Sequence, residues 1–119
     1  MKNKNVLFLI LTVMLNVLSA GAFAQKNDST IVIQTSGHCG DCKETIEKAL
    51  AFTKGVKKAD FEAETGKVIV VYNATKTGPE KLRTAISKAG YDADSLQADP
   101  DAYNRLKACC KKDGKELMR

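Results

Sequence analysis

Hydrophobic and polar residues follow two distinct periods along the chain. Residues 29–37 and both arms of 56–73 alternate apolar and polar positions and are rich in β-branched residues, which predicts a strand and a later hairpin. Residues 41–55 and 77–90 carry apolar residues at 3.6-residue spacing, which predicts two amphipathic helices. Residues 91–98 are expected to form a short final strand. The predicted order is therefore β-α-β-β-α-β.

Each predicted element has one side suited to burial, and residues typical of caps and turns lie at its ends. The buried side of the first helix comprises Cys42, Ile46, Ala49, Leu50 and Thr53, and that of the second Leu82, Ala85, Ile86 and Ala89. The hairpin contributes Ala59, Phe61, Ala63, Val68, Val70 and Tyr72. The pairs Asp41–Glu44 and Thr77–Glu80 resemble capping boxes, Gly66 suits a turn with positive φ, and Gly55 and Gly90 suit helix ends.

This order is typical of the ferredoxin-like α+β fold, in which one face of an antiparallel sheet carries both helices. We predict one such domain over residues 30–97, after a short segment at 25–29. A tail at 98–119 follows it. In that tail Asp99 and Pro100 suit the start of a short helix, and two cysteines stand side by side further on.

The first 24 residues have the three parts of a secretory signal peptide. Lys2 and Lys4 precede a long apolar run, and the small residues Ala22 and Ala24 follow it. We expect cleavage after Ala24, because the run is short for a membrane span and ends in a small-residue site. The cleaved protein would be periplasmic or secreted and would have no membrane segment.

Charge and motif content argue against two classes of function. The formal net charge of +5 falls to +3 once the two lysines of the signal peptide are removed. That excess is too small to indicate nucleic-acid binding, and basic residues alternate with acidic ones as they do on solvated helix faces. The chain has one histidine, and we find no Ser-His-Asp set, paired carboxylates or phosphate loop in the sequence. We therefore expect neither an enzyme nor a nucleic-acid partner.

The stretch TSGHCGDCKETIEKAL places Cys39 before the first predicted helix and Cys42 in its first turn. A helix N-terminus favours thiolate over thiol, and two thiolates at this spacing suit one soft ion such as Cu(I), or zinc. The same pair would suit thiol–disulfide exchange, although the strand order differs from thioredoxin and both prolines lie at helix starts. A plain Cys39–Cys42 disulfide is the third interpretation in an oxidising compartment.

GHCGDC before the first helix and KAGYDA after the second resemble the heavy-metal-associated domain family, over residues 30 to about 97. That family includes copper chaperones, metal-binding domains of P-type metal pumps, and the exported mercury-binding protein of mercury resistance systems. The resemblance implies that Cys39 and Cys42 are the metal ligands. It also implies that Tyr91 is the aromatic residue that packs against the metal loop in bacterial members.

The family pattern Gly-Met-x-Cys-x-x-Cys is incomplete here, because Gly37 is followed directly by His38 and Cys39. Either one position is missing, or His38 takes the place before the first cysteine and the methionine, a core residue that braces the loop, is absent. His38 is the only histidine. It would serve either as an additional metal ligand through a ring nitrogen or as a loop residue facing water.

Cys109 and Cys110 are not explained by the family pattern. Adjacent cysteines form a disulfide with each other only under strain, because the ring is too tight for normal geometry. Three interpretations remain: additional ligands that complete a four-thiolate site with Cys39 and Cys42, a second soft-metal site on the tail, or disulfides to Cys39 and Cys42. The alternative to all three is that the two cysteines are incidental.

These observations predict an exported carrier that captures a soft metal ion at Cys39 and Cys42 and passes it to a partner by ligand exchange. Cu(I) is favoured by the two soft thiolates and by Tyr91. Hg(II) is second, because the exported family member handles it, and Zn(II) is third, because it needs His38 or the tail. The expected partner is a metal transporter or another metal-binding domain, and the protein is expected to be a monomer. The alternative function is a thiol–disulfide oxidoreductase that uses the same pair.

Overall fold

The computed structural model describes residues 2–19 and 27–112. The predicted cleavage site after Ala24 lies outside the described residues. Within them, no helix combines the length and apolar character needed to cross a membrane. The elements are α1 (Lys2–Ser19), β1 (Asp28–Gln34), α2 (Gly40–Ala51), β2 (Val56–Glu62), β3 (Lys67–Asn73), α3 (Pro79–Lys88), α4 (Pro100–Asn104) and a 3-10 turn (Ala108–Cys110).

The three strands form one antiparallel sheet in the order β1-β3-β2. The predicted hairpin is confirmed: Phe61 of β2 pairs with Val68 of β3, and Val68 pairs on its other side with Ile33 of β1. Gly66 sits in the hairpin turn with φ +74°, a conformation that favours glycine. Period-two alternation therefore aligns the inward side chains of all three strands on one face.

The core lies between that face and helices α2 and α3. Its fully buried large side chains come from strands, from helices and from the segment after α3: Ile33, Ile46, Leu50, Val68, Val70, Leu82, Ile86 and Tyr91. The predicted helical stripes are confirmed at their centres, with Ala49, Thr53, Ala85 and Ala89 half-buried at the margins. Val32 and Ile69, which alternate with the inward residues, are exposed on the opposite face of the sheet.

The predicted fourth strand is reduced to a bridge in the described part of the chain. Ala93 pairs antiparallel with Thr35, just beyond the end of β1, and also with Leu96. The chain reverses between those two partners, with Asp94 at φ 52°. Because the chain turns here, the segment is too short to form a ladder of strand hydrogen bonds. It nevertheless lies beside β1, where the fourth strand was predicted. The ferredoxin-like α+β prediction is therefore confirmed, with its last strand truncated.

Both predicted capping boxes are wrong. Helix α2 begins at Gly40 with Cys39 as its N-cap, and α3 begins at Pro79 with Gly78 as its N-cap; neither cap residue makes a side-chain cap hydrogen bond. Thr77 instead packs towards Gly55, where a Cβ would lie 3.0 Å from Thr77 Cγ2. The end of α3 is as predicted, since Gly90 follows it with φ +105°.

The tail folds back against the domain. Asp99 caps α4 by accepting a hydrogen bond from the Ala102 amide at 3.0 Å, as its sequence predicts. The Asp99 amide donates to the Ser87 carbonyl at the end of α3, and Ser87 Oγ donates to the Gln97 carbonyl at 2.7 Å. Ala102 is buried. These contacts direct the chain after α4 towards the loop between β1 and α2.

Candidate metal centre

Cys39 and Cys42 lie at the N-terminus of α2. The Cys39 carbonyl accepts the first helical hydrogen bond from the Lys43 amide at 2.9 Å, so Cys39 closes the loop and Cys42 enters the first turn. Unpaired amides and the helix dipole at this end stabilise negative charge on sulfur. Both side chains are buried, with Cys39 6% and Cys42 0% exposed.

A third thiol, that of Cys110, completes a cluster with this pair. Cys39 Sγ lies 2.9 Å from Cys42 Sγ and 3.6 Å from Cys110 Sγ, and the three sulfurs lie within 4.8 Å of one another. All four cysteines are free thiols. Sulfurs sharing an ion at bonds of about 2.3 Å sit roughly 4 Å apart, so Cys39 and Cys42 must separate slightly on binding.

Cys109 points away from this cluster. Its Sγ lies 3.6 Å from Asp41 Oδ2 and 3.9 Å from Cys110 Sγ, and its side chain is half-buried. Cys109, Cys110 and Asp41 form a second group of ligand atoms, of which the Asp41 carboxylate is exposed. Lys107 also approaches Asp41, at 3.8 Å. The tail thus brings one of its two cysteines to Cys39 and Cys42 and leaves the other at the rim.

The three clustered thiols differ in acidity. Burial and the hydrogen bond with Cys42 raise the pKa of Cys39. Burial opposes ionisation of Cys42 as well, but the hydrogen bond with Cys39 and the nearby polar groups of the His38 backbone and Tyr91 outweigh it and lower the pKa of Cys42. Burial, together with Cys42, raises the pKa of Cys110 well above its usual range. Cys42 therefore ionises first, and its protonated neighbours share the charge.

Tyr91 is 0% exposed and belongs to the same buried cluster as the three thiols. Burial raises the pKa of its hydroxyl, and the adjacent Cys42 and Cys110 raise it further. The hydroxyl makes no hydrogen bond of acceptable geometry within the described residues. Tyr91 is thus part of the buried cluster that also contains Cys39, Cys42 and Cys110.

His38 is not brought into the thiol cluster. Its Nδ1 lies 3.3 Å from the Ser36 carbonyl oxygen, to which it donates when protonated, and its buried Nε2 has no partner among the described residues. Neither ring nitrogen joins the ligand atoms that lie within 4.8 Å of one another. The described geometry therefore gives His38 a loop position rather than a place beside the sulfurs.

The cysteine loop is held on both sides. Thr35 Oγ1 accepts from the Gly37 amide at 3.0 Å and donates to the Gly66 carbonyl at 2.7 Å, which ties the loop to the hairpin turn. The Asp92 amide donates to Ser36 Oγ at 2.9 Å, which ties it to the segment after α3. A rigid loop preserves the spacing of its ligands.

A side chain at position 37 would point into the core. A Cβ there would lie 2.8 Å from Ile46 Cδ1 and 2.9 Å from Phe61 Cζ. This geometry favours the interpretation in which the loop has the same length as the family pattern. In that interpretation Gly37 occupies the place of the family methionine. Ile46 and Phe61 fill the space that a longer side chain would take.

The approach of Cys110 to Cys39 was only one of several sequence interpretations. The two residues are 71 positions apart, and their contact depends on how α4 docks against α3. The adjacent Cys109–Cys110 pair was the available signal, but it does not say which sulfur turns inward. Asp41, beside Cys109, was not expected at the site.

Comparison with known proteins adds family relationships. The heavy-metal-associated domain family matches residues 38–92. The copper chaperone CopZ of Staphylococcus aureus is 41% identical over 54 residues, which are 45% of this chain and 79% of the chaperone. Among solved structures, oxidized MerP from Ralstonia metallidurans CH34 superposes with a TM-score of 0.54 at 32% identity, over 56% of this chain and 94% of MerP.

A third relative is the water-soluble region of a P-type ATPase. The water-soluble region of the P-type ATPase CopA from Bacillus subtilis superposes with a TM-score of 0.55 at 32% identity, over 59% of this chain and 47% of that region. The family match ends at residue 92, so Cys109 and Cys110 lie beyond it. The third thiol of the cluster thus comes from outside the matched domain.

Proposed function

Because this chain belongs to the heavy-metal-associated domain family, we propose that it is an exported carrier of a soft metal ion. Cys39 and Cys42 capture the ion, and the protein passes it to a partner by ligand exchange. It is not an enzyme, since the ion is cargo and no bond of a substrate is made or broken. The leader at 1–24, with its lysines, apolar run and small-residue site, supports export to the periplasm or beyond.

The observation that carries this proposal is the close approach of the two sulfurs at the start of α2. They lie 2.9 Å apart, one of them has a lowered pKa, and both are joined to a loop that is fixed by hydrogen bonds. A thiolate is the form of cysteine that binds metal, and two sulfurs that are already close together lose less entropy on binding than two distant ones would. The site is thus prepared for a thiophilic ion.

Cu(I) is the proposed cargo, followed by Hg(II) and then Zn(II). Thiolate-only ligation suits soft ions, and the sulfurs sit among apolar core residues. A copper chaperone is among the relatives, which supports the first of these ions. Zn(II) prefers four ligands, and among the described residues neither ring nitrogen of His38 joins the group of three sulfurs.

We also propose a metal-transporting membrane pump, or another metal-binding domain, as the partner. The similarity to the soluble region of a P-type ATPase supports this choice. The protein acts as a monomer, and exchange proceeds through an intermediate in which thiolates of both proteins hold the ion. The alternative function, thiol–disulfide oxidoreductase, has no support from the three relatives described above.

Native mass spectrometry under anaerobic conditions tests the capture step. The reduced full-length chain, kept in mild detergent, is offered Cu(I), Hg(II) and Zn(II) in turn. We expect one Cu(I) per chain, bound too tightly for a weak chelator to remove. The Cys39→Ser/Cys42→Ser variant should lose it, whereas Cys109→Ser should retain it. Equal Cu(I) binding by the double variant and the wild type would refute the proposed site.

A further inference from the structure

We propose that Cys110 is a third thiolate ligand, so that the tail completes a three-sulfur site over Cys39 and Cys42. This inference rests on the proposed carrier function and adds the coordination of the cargo to it. The family match ends at residue 92, so the ligand comes from a segment outside that match.

The distances favour a shared ion. Cys110 Sγ lies 3.6 Å from Cys39 Sγ, close to the roughly 4 Å expected for two sulfurs on one ion, and all three sulfurs lie within 4.8 Å. Cys110 is 4% exposed although it stands near the end of the described chain. A buried thiol within 4.8 Å of two others is placed to bind the same ion as they do.

Contacts on both sides of Cys110 hold the tail in this position. Before it, the Asp99 amide bonds to the Ser87 carbonyl at 3.0 Å and Ala102 is buried. After it, Lys112 Nζ pairs with Asp92 at 2.7 Å, and the Lys112 amide donates to the Tyr103 hydroxyl at 3.1 Å. Tail and domain are thus joined before and after the cysteine that faces the site.

Cys109 provides a matched comparison one position away. It is more exposed than Cys110, faces Asp41 at 3.6 Å, and stands outside the group formed by Cys39, Cys42 and Cys110. Replacing either residue by serine makes the same chemical change in the same turn. The two variants therefore separate ligation from any general effect on the tail.

A third thiolate changes how the ion leaves. An incoming partner thiolate must replace Cys110, Cys39 or Cys42 as a ligand of the ion. Of these three, Cys110 is the one that lies on the C-terminal tail. One metal–sulfur bond forms as another breaks, and the released thiolate takes up a proton from solvent. Neither sulfur nor metal changes oxidation state in this step.

X-ray absorption at the copper edge measures the sulfur coordination number directly. We expect about three sulfurs in the Cu(I)-loaded wild type and in Cys109→Ser, and about two in Cys110→Ser. Competition with a chromophoric Cu(I) chelator should show at least about tenfold weaker binding for Cys110→Ser, since even partners outside the ligand set contribute about 10- to 100-fold. Chelator capture of Cu(I) should also be faster from Cys110→Ser.

The outcomes separate this inference from the proposed function. Two sulfurs in the wild type, or identical affinity and coordination in Cys110→Ser and Cys109→Ser, would overturn the third ligand and leave the carrier intact. Failure of the wild type to bind Cu(I), Hg(II) or Zn(II) would instead overturn the carrier, and this inference with it. The wild-type spectrum decides the question even if Cys110→Ser does not fold.

Discussion

Gly90 and Ala102 are packed so closely that the tail rests directly on the end of α3. A Cβ at Gly90 would lie 3.0 Å from the Ala102 carbonyl oxygen, and Gly90 has φ +105°. Gly90→Ala should therefore destabilise the reduced apo protein by about 2–3 kcal/mol, because it adds backbone strain and pushes α4 away. Urea denaturation followed by circular dichroism measures this change.

Gly78→Ser is the matched control. Nothing lies within 4 Å of a Cβ at Gly78, which is the extended N-cap of α3 at φ −156°. Serine accepts hydrogen bonds at an N-cap, so this variant should be as stable as the wild type or slightly more stable. If Gly90→Ala lost no more stability than Gly78→Ser, the close packing of the tail would be refuted.

Asp94 connects the truncated fourth-strand segment to β1 and α3. Its carboxylate accepts from the Gln34 amide at 3.0 Å and from Arg83 Nε at 2.9 Å. Burial raises the pKa of Asp94, but these two bonds outweigh it and lower the pKa. Stability from this group is therefore present above its unfolded pKa of about 3.9 and is lost as pH falls through the lower folded value.

Asp94→Asn should cost about 1 kcal/mol at neutral pH, since the group is partly exposed and its ion pair is screened. Asparagine tolerates the φ of 52° at this position, so backbone strain does not contribute. The difference in melting temperature between the two proteins should shrink as the pH falls from 7 to 3. Glu64→Gln, at an exposed acid for which the structure gives no ion pair within the described chain, should match the wild type throughout. A difference in melting temperature between Asp94→Asn and the wild type that grew towards low pH would contradict this account.

Tyr91 is expected to stabilise the domain through its ring rather than its hydroxyl. Tyr91→Ala should cost about 3–5 kcal/mol, because it empties a site at the centre of the core. Tyr91→Phe keeps the ring and removes a buried hydroxyl without a well-formed hydrogen bond, so stability should change by less than about 1 kcal/mol. Denaturation of the reduced apo proteins measures both. A loss above about 2 kcal/mol in Tyr91→Phe would show that the hydroxyl is bonded after all.

The spacing of hydrophobic residues and the residue types at turns were sufficient to predict the sheet and its two helices. Alternation predicted Phe61, Val68 and Val70 as inward residues, and 3.6-residue spacing predicted Ile46 and Leu50. These signals are local, because each depends on neighbours within one or two turns. The same local signals misplaced both helix starts, since Cys39 and Gly78 cap through extended backbone alone.

Features that depend on distant contacts could not be predicted in the same way. The fourth strand is short because the chain turns at Asp94, whose side chain is held by Gln34 and Arg83. Cys110 approaches Cys39 because α4 docks against Ser87 and Gly90. The sequence contained these residues, but their pairing depends on the packed fold.

Export gives a prediction that does not depend on metal. Expressed in a bacterium with a general secretion pathway, the chain should be recovered outside the cytoplasm with Gln25 as its first residue. Ala24→Arg should block processing, because the cleavage enzyme requires a small residue there, whereas Gln25→Asn should be processed normally. Intact mass spectrometry distinguishes the forms. Recovery of the wild type only as the uncleaved chain would contradict the signal-peptide assignment.

Direct transfer of the cargo is the central claim, and one kinetic measurement tests it. The Cu(I)-loaded chain is mixed with increasing concentrations of the soluble metal-binding region of a P-type copper ATPase, and native mass spectrometry follows the loaded fraction of each protein. Ligand exchange predicts a transfer rate that rises with acceptor concentration and falls to the rate of spontaneous release when the acceptor cysteines are replaced by serine. A rate that is independent of acceptor concentration, or no transfer to the intact acceptor, would contradict the carrier function.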